Sequence, residues 1–263
     1  MTTPRGAAPA PPVPAERRQG RLRPAARRSR AGVARALDRV ETLLDPAVRP
    51  AVAALQRRRG GPGVEELLAG YRTGRYLSVG RWGRFTWLDP ARRAIVPLVE
   101  RRVPRNVARA LRGGAFQVTF DRAFPDVLAH CASARGRDTC GRSWLTPEVQ
   151  RTYLVLHRLG HAHSVEVWQQ GRLVGGELGV AVGGYYSGES TFFLVGGAGK
   201  IAVARLGEHL HERGFRLFDT QVLTPVMEQF GAYHVPRAEF RRLLGEALAT
   251  SVTFLDRAGV TRV

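Results

Sequence analysis

The segment Phe218-Asp219-Thr220-Gln221 contains the side chains in this sequence that are best suited to chemistry. On a β-strand, side chains two positions apart lie on the same face, so Asp219 and Gln221 are expected to lie together. A carboxylate can orient a neighbouring amide, and the amide oxygen can then accept a hydrogen bond from an attacking amine. The pair is a catalytic candidate. The alternative is a polar pair at the end of a sheet that only satisfies its own hydrogen bonds.

A glycine-rich segment, Gly196-Gly197-Ala198-Gly199-Lys200, precedes a predicted helix. Backbone N–H groups at a helix start can hold an anion, so Gly199 and Lys200 are predicted to form a phosphate site. Ile201 stands where a phosphate-binding loop has the Ser or Thr that binds magnesium, which argues against a nucleotide triphosphatase. Acyl-CoA N-acetyltransferases hold a pyrophosphate at such a place, but Leu194 replaces the Gln or Arg of their pattern.

His161 and His163 form a His-x-His pair that could bind zinc on a strand. A third ligand and the groups that would support it are not evident from the sequence, so hydrogen bonding is the favoured role. The sequence therefore does not predict a metal site.

Hydrophobic periodicity predicts which elements position these residues. Thr146-Pro147-Glu148 is typical of a helix start, with an N-cap and a proline in the first turn. A turn at Gln169-Gln170-Gly171 joins two predicted strands into a hairpin. The remaining predicted elements are a strand at Tyr185–Phe193, a helix at Lys200–Arg213, a strand at Phe215–Val222 and a helix from Pro236. This order predicts an α+β fold with a mixed, mostly antiparallel sheet.

The charge of the chain indicates an anionic partner. Its 263 residues include 41 Lys and Arg against 22 Asp and Glu, a formal net charge of +19. Such an excess favours nucleic acid over a membrane surface. No apolar run is long enough to span a membrane, and the first residues lack the apolar segment of a secretory signal. We therefore expect no membrane partner and a cytoplasmic location.

The charge also suggests how the chain is divided. Residues 1–59 hold 14 Arg and four acidic residues and are expected to form a basic arm. The arm should be disordered at least to residue 30, because that part has almost no large apolar side chains. Helical spacing of apolar residues follows. A small N-terminal lobe is predicted at 60–113 and a main lobe at 114–263. Arg and aromatic residues interleave over 76–90, which suits unstacked RNA bases or an ordinary small sheet.

A set of short motifs is distinctive as a group. They are Gly141-x-x-Trp144, the run Leu156–Trp168, Leu173-Val174-Gly175-Gly176, Gly188-Glu189-Ser190, Lys200, Asp219-x-Gln221 and Val235-Pro236-Arg237. Together they resemble the leucyl/phenylalanyl-tRNA–protein transferase family. The resemblance covers about residues 115–245 well and 61–113 loosely.

This resemblance implies a bilobed enzyme whose C-terminal lobe has an acetyltransferase-like (GNAT-type) fold. Such an enzyme moves the aminoacyl group of a charged tRNA onto an acceptor amine and forms an amide without a metal or cofactor. By resemblance, Gln221 would hold the attacking amine and Asp219 would orient Gln221. Glu189 and Ser190 would bind a cationic acceptor. Trp144 would contact the 3′ end of the tRNA.

Two departures from the family bear on the donor. Its amino-acid pocket has methionines where this chain has Glu177 and Thr191, and a buried carboxylate is poor lining for a Leu or Phe side chain. Ser78 replaces a family tryptophan that stacks on the terminal adenosine. Trp82 and Trp87 are candidates to take over that contact. The predicted pocket for the donor side chain consists of Glu177, Thr191, Leu206 and Leu210.

Three classes of function remain open from the sequence. The leading one is an aminoacyl-tRNA-dependent aminoacyltransferase, acting on protein N-termini or, in a divergent form, transferring a polar or cationic amino acid to a small-molecule amine. The others are an acyl-CoA N-acetyltransferase and a non-catalytic RNA-binding protein. The expected partners are aminoacyl-tRNA and an acceptor amine, and the chain is expected to be a monomer.

Overall fold

The computed structural model of the protein describes residues 61–79, 85–133 and 143–255. The predicted basic arm at 1–59 lies outside these ranges. The helices of the described part are α1 (Val64–Arg72), α2 (Arg105–Arg112), α3 (Phe124–Ser133), α4 (Pro147–Arg158), α5 (Ala198–Glu212), α6 (Pro225–Glu228) and α7 (Arg237–Leu248). The strands are β1 (Tyr76–Val79), β2 (Phe85–Leu88), β3 (Arg92–Val96), β4 (Gln117–Phe120), β5 (Ala162–Gln169), β6 (Arg172–Val182), β7 (Tyr185–Phe193), β8 (Leu217–Gln221) and β9 (Tyr233–Pro236).

Seven strands of the described residues form one sheet in the order β4-β5-β6-β7-β8-β3-β9. Each neighbouring pair is antiparallel except β7 and β8, which are parallel. A parallel pair needs a crossover, and α5 supplies it between these two strands. The predicted α+β class with a mostly antiparallel sheet is confirmed. Strands β1 and β2 form a separate two-stranded sheet.

Local signals in the sequence explain several of these elements. The Thr146 side chain accepts a hydrogen bond from the backbone N–H of Val149, and Pro147 occupies the first turn of α4. Gln170 and Gly171, at φ +51° and +70°, turn β5 back into β6. The helix start and the hairpin are where the sequence predicted them.

The core lies on both faces of the large sheet. On one face α1, α3, α4 and α7 pack over β5, β6 and β7, and the fully buried side chains there include Tyr71, Tyr153, Leu178 and Tyr185. On the other face α5 packs over the same sheet, with Tyr186, Leu206, Leu210 and Phe218 in its core. Because side chains alternate between the two faces of a strand, consecutive residues of one strand belong to different halves of the core.

Two irregularities of the central strands shape the site. In the β6–β7 ladder Leu178 pairs with Ser190 and Gly179 pairs with Gly188, so Glu189 is the extra residue of a β-bulge. The pairing of β7 with β8 runs from Tyr185 to Ser187. Beyond this point no pairs between the two strands follow, and the gap opens beside the bulge.

None of the helices in the described ranges has the length and apolar character needed to cross a membrane.

Candidate active site

A cavity of about 780 Å³ opens where β7 and β8 stop pairing. Strands β6, β7 and β8, the start of α5 and helix α6 all contribute to its wall. Its lining includes most of the residues predicted from the sequence, together with apolar side chains: Tyr76, Leu77, Ser78, Trp144, Glu177, Glu189, Ser190, Thr191, Phe193, Gly199, Lys200, Val203, Phe218, Gln221 and Met227.

Asp219 lies beneath this cavity and is fully buried. Its carboxylate accepts hydrogen bonds from Arg93 Nε at 2.9 and 3.0 Å and from Arg93 Nη2 at 2.6 Å. The Tyr185 hydroxyl donates to Oδ2 at 2.8 Å, and the backbone N–H of Gln221 donates to Oδ1 at 2.7 Å. A two-pronged contact of this kind fixes both the position and the plane of the carboxylate.

Arg93 is itself enclosed, with 1% of its surface exposed. Its Nη1 donates to the Gly74 carbonyl at 3.0 Å, and the guanidinium lies 4.5 Å from the Tyr76 ring and 4.7 Å from the Phe240 ring. Burial lowers the pKa of the guanidinium, but the Asp219 carboxylate outweighs it and raises that pKa above its ordinary value. The pair is a buried ion pair with nearly all of its hydrogen bonds satisfied.

Gln221 is held at the mouth of the cavity by its backbone. It has φ +63°, an unusual value for a residue other than glycine, and the bond from its N–H to Asp219 supports that conformation. Its side-chain Nε2 donates to Glu189 Oε1 at 3.0 Å and to Ser187 Oγ at 3.3 Å. No described residue donates to its amide oxygen, which leaves that atom free to accept from a ligand.

Glu189, the bulge residue of β7, contacts Gln221 of β8 across the space where these two strands are no longer paired. Burial raises the pKa of Glu189 to about 7, hydrogen bonds from Ser187, Tyr71 and Gln221 offset part of this rise, and the Asp219 carboxylate adds to it. A carboxyl group with such a pKa can exchange a proton near neutrality. Tyr71 in turn shares a hydrogen bond of 2.7 Å with Tyr153.

Glu177 projects from β6 on the opposite face of the sheet and is 2% exposed. The Tyr186 hydroxyl donates to Oε2 at 2.9 Å, whereas Oε1 has no hydrogen-bond partner among the described residues. Burial raises the pKa of Glu177 well above its ordinary value, the bond from Tyr186 lowers it in part, and repulsion from Glu189 raises it further. The two carboxylates thus border one cavity.

Comparison with known proteins decides which family this geometry belongs to. The model of the family described as leucyl/phenylalanyl-tRNA protein transferase matches residues 95–245. The chain belongs to this family. A leucyl/phenylalanyl-tRNA–protein transferase from Ruegeria pomeroyi is 46% identical over 64% of this chain and 77% of its own length. One from Chlorobaculum parvum is 39% identical over 73% of this chain and 98% of its own.

Another family member of that name, from Nitratidesulfovibrio vulgaris, is 44% identical over 70% of this chain and 78% of its own length. Among solved structures, L-PGS from Bacillus licheniformis is 12% identical, with a TM-score of 0.37 over 59% of this chain and 49% of its own. A likeness at that level carries no argument about this chain. Membership of the family confirms the predicted enzyme class, an aminoacyl-tRNA-dependent aminoacyltransferase.

Most of the side chains predicted from the family's motifs lie on this one cavity. Glu189, Ser190, Glu177, Thr191, Trp144, Gly199, Lys200 and Gln221 all line it. Trp144 contacts the edge of Tyr153 at 5.8 Å between ring centroids, and Lys200 Nζ donates to Gln229 Oε1 at 2.8 Å. Gly197, at φ +87°, caps the start of α5 beside the same opening.

Three predicted residues lie elsewhere in the described structure. Leu206 and Leu210 are fully buried in the core beneath α5 and do not line the cavity, because they face the centre of the sheet. Val203, one turn earlier on α5, reaches the cavity instead. Trp87 packs over α1 at Gly70, with Nε1 3.5 Å from Glu66 Oε1, and is not a cavity residue. Trp82 lies outside the described residues.

Asp219 contacts Gln221 through a different group from the one that the sequence predicted. Asp219 orients Gln221 through its backbone N–H, whereas Ser187 and Glu189 hold the amide side chain. Sequence reasoning also missed Arg93, the strongest partner of Asp219. A possible signal was its place in Arg92-Arg93-Ala94-Ile95-Val96, where an arginine begins an otherwise buried strand, but alternation does not say which of the two arginines is inside.

The histidine pair takes part in hydrogen bonds within the fold. His163 Nδ1 lies 2.7 Å from Asp121 Oδ2, and His161 Nδ1 lies 3.3 Å from the Ala181 carbonyl. No group of three potential metal ligands occurs in the part of the chain that the structure describes.

Proposed function

We propose that Gln221 and Glu189 form the centre at which the aminoacyl group of a charged tRNA is transferred to an amine. The observation that carries this proposal is the meeting of their side chains, at 3.0 Å, at the mouth of the cavity above the buried Arg93–Asp219 pair. The Gln221 amide oxygen accepts a hydrogen bond from the amine. Asp219 is a positioning residue, because it lies below the cavity and reaches the ligand only through Gln221.

The reaction needs no outside energy source. The amine nitrogen attacks the ester carbonyl carbon, a C–N bond forms, and the C–O bond to the ribose breaks. The proton lost from the amine ends on the ribose oxygen, and Glu189, whose pKa is about 7, is placed to carry it. An acceptor α-amine has an ordinary pKa near ~7.7–8.0, so part of it is already uncharged at neutral pH. Most of the rate gain would come from holding the two reactants together.

The tRNA end would lie along the other side of the cavity. Trp144 would stack on the terminal adenosine, and the backbone N–H groups at the start of α5, with Lys200 beside them, would hold a phosphate. Several exposed arginines on and around α2, including Arg105, Arg109 and Arg112, could contact the remaining backbone.

The finer fold assignment belongs to the same proposal. A parallel strand pair that separates beside a bulge, with a helix start at the gap, is the arrangement expected of an acetyltransferase-like catalytic lobe. We assign residues 114–263 to this lobe together with strand β3, which lies inside the large sheet, the rest of 60–113 to a small N-terminal lobe and 1–59 to a basic arm. The acceptor would be a protein N-terminus or a small amine, in the cytoplasm where charged tRNA occurs, and the enzyme would act as a monomer.

A single-turnover assay tests the proposed centre. The wild-type chain is incubated with a total charged-tRNA pool, labelled with one amino acid at a time, and with a peptide whose first residue is arginine. Label should pass from the tRNA to the peptide. In the Gln221→Ala variant the rate should fall about 100-fold with tRNA binding unchanged, because the amine is no longer held for attack.

Gln117→Ala is the matched control, since Gln117 is an exposed residue of the edge strand β4 and does not line the cavity. It should transfer at the wild-type rate. A wild-type rate in Gln221→Ala would refute the proposed centre, and a chain that transfers no amino acid from the pool to the peptide or to a panel of small amines would refute it as well.

A further inference from the structure

Glu177 is the one buried side chain of the described residues whose polar atom lacks a partner, and it lines the cavity. A carboxylate removed from water normally has several hydrogen bonds or an opposite charge beside it. Glu166 on the neighbouring strand shows this normal state, with donors from Thr119, Ser164 and the backbone of the 122–123 segment. Glu177 Oε1 departs from this rule, which indicates that its hydrogen-bond donor comes from a bound ligand.

The part of the cavity around Glu177, called the recess below, is lined mostly by apolar groups. Its Oε1 lies close to Gly188, where an added Cβ would come within 3.0 Å of that oxygen, and the Phe218 ring is beside it. Thr191 stands opposite Glu177 in the β6–β7 ladder and lines the same cavity. Val203 on α5 adds a further apolar wall. A ligand in this recess would meet both hydrocarbon surfaces and the Glu177 carboxyl group.

A hydrocarbon side chain matches the apolar walls of this recess but not its carboxyl group. A Leu or Phe side chain beside Glu177 would supply no donor, so Oε1 would stay buried without a partner in the complex as well. A side chain with an aliphatic stem and a terminal N–H group meets both needs, because its stem packs on Val203 and Phe218 while its end donates to Oε1. A positive charge at that end also compensates the carboxylate.

We propose that Glu177 selects a donor aminoacyl-tRNA whose side chain ends in a cationic nitrogen, as lysine and arginine do. The inference rests on the proposed aminoacyl transfer, since it assigns the recess to the donor side chain. Glu177 would be a specificity-determining residue, and the amino acid transferred would differ from the leucine and phenylalanine in the names of the chain's relatives.

Small analogues of the aminoacyl end of tRNA test the proposal without knowledge of the acceptor. The probes are 3′-amino-3′-deoxyadenosine acylated with lysine, arginine, norleucine, leucine or phenylalanine, whose amide links cannot be transferred. Calorimetry on the full chain gives their dissociation constants. We expect the lysyl probe to bind at least about tenfold more tightly than the norleucyl probe, which has a stem of similar length but no charge.

Two variants assign this preference to Glu177. Glu177→Gln keeps the shape of the side chain and should reduce the lysyl preference to within about threefold, whereas Glu177→Met should favour the norleucyl and leucyl probes. Glu212→Gln makes the same change of charge at an exposed site on α5 and should keep the wild-type preference. Thermal melting shows whether each variant is folded.

The possible results separate this inference from the proposed function. If the wild type binds leucyl or phenylalanyl probes as tightly as the lysyl probe, the inference fails and aminoacyl transfer stands. The same follows if Glu177→Gln weakens all five probes equally, since Glu177 would then contact their shared α-ammonium group. If no probe binds more tightly than unacylated 3′-amino-3′-deoxyadenosine, the cavity has no aminoacyl pocket and the proposed function fails as well.

Discussion

Two buried carboxylates on opposite faces of one sheet differ in how they are satisfied. Asp219 accepts from Arg93, Tyr185 and the backbone of Gln221, and it forms a buried ion pair. Among the described residues Glu177 accepts only from Tyr186, and its other carboxyl oxygen is buried without a partner in a side chain that lines the cavity. The Asp219 region is complete without a ligand and fixes the shape of the centre. The Glu177 region is incomplete, which is the state expected of a binding contact.

The largest change in stability is expected when the buried Arg93–Asp219 ion pair is broken. Arg93→Ala leaves Asp219 buried without its positive partner and should lower the free energy of unfolding by about 3–5 kcal/mol. Urea denaturation followed by circular dichroism measures the change. The double variant Arg93→Leu with Asp219→Leu should lose less than Arg93→Ala alone, because it removes both charges of the pair and leaves neither one buried without its partner. A larger loss in the double variant would show that the ion pair itself stabilises the fold.

Removing the Glu177 carboxyl group should stabilise the protein, whereas breaking the Arg93–Asp219 pair should destabilise it. Glu177→Leu replaces a poorly satisfied buried group with an apolar one and should raise the free energy of unfolding by about 1–3 kcal/mol. Because burial raises the pKa of Glu177, its ionisation opposes folding, and the gain should be larger at pH 8 than at pH 5. Urea denaturation at both pH values measures it.

Glu166→Leu is the contrasting control for this change. Glu166 is fully buried and hydrogen-bonded, so its replacement should destabilise the chain. If Glu177→Leu destabilises the protein as much as Glu166→Leu does, the two carboxylates are equally satisfied and the comparison is wrong.

The smallest effect concerns Glu189, which lies between the two regions. Its folded pKa of about 7 exceeds the ordinary value of 4.5, so the folded state binds this proton more tightly than the unfolded state. The stability that this proton contributes is present below pH 4.5 and is lost as the pH rises through 7. Glu189→Gln removes the loss and should be more stable than the wild type at pH 8, relative to pH 5, by about 1–2 kcal/mol.

Thermal melting between pH 4 and pH 8 measures this difference. We expect the wild-type melting temperature to fall more steeply than that of Glu189→Gln over the upper part of the range. Parallel curves for the two proteins would show that Glu189 titrates at its ordinary value.

Local sequence signals were enough to predict the elements that carry the site. Thr146-Pro147 begins α4, and the Gln170-Gly171 turn joins β5 to β6, because capping and turn geometry depend on a few neighbouring residues. The helix predicted at Lys200–Arg213 begins slightly earlier, at Ala198, since Gly197 caps it. The family was also predictable, because its motifs are distinctive as a group.

The misplaced and missed residues share a physical cause. Leu206 and Leu210 have the right chemistry for a pocket wall, but which face of α5 meets the cavity depends on how the helix packs on the sheet. Arg93 is separated from Asp219 by 126 positions, and only the pairing of β3 with β8 brings them together. Pairing over such distances leaves no local pattern in a single sequence.

The sequence by itself determined the charge of the partner, the α+β class, the family and the types of side chain available at Gln221, Glu189 and Glu177. The charge and the class follow from composition and periodicity, which are additive or local properties, and the family follows from the resemblance of its short motifs to those of known proteins. Only the tertiary structure decided that Arg93 anchors Asp219, that Glu189 occupies a bulge beside Gln221, and that one oxygen of Glu177 has no partner among the described residues. Burial and hydrogen-bond satisfaction depend on which distant residues meet, and that is fixed by the packing of the whole sheet.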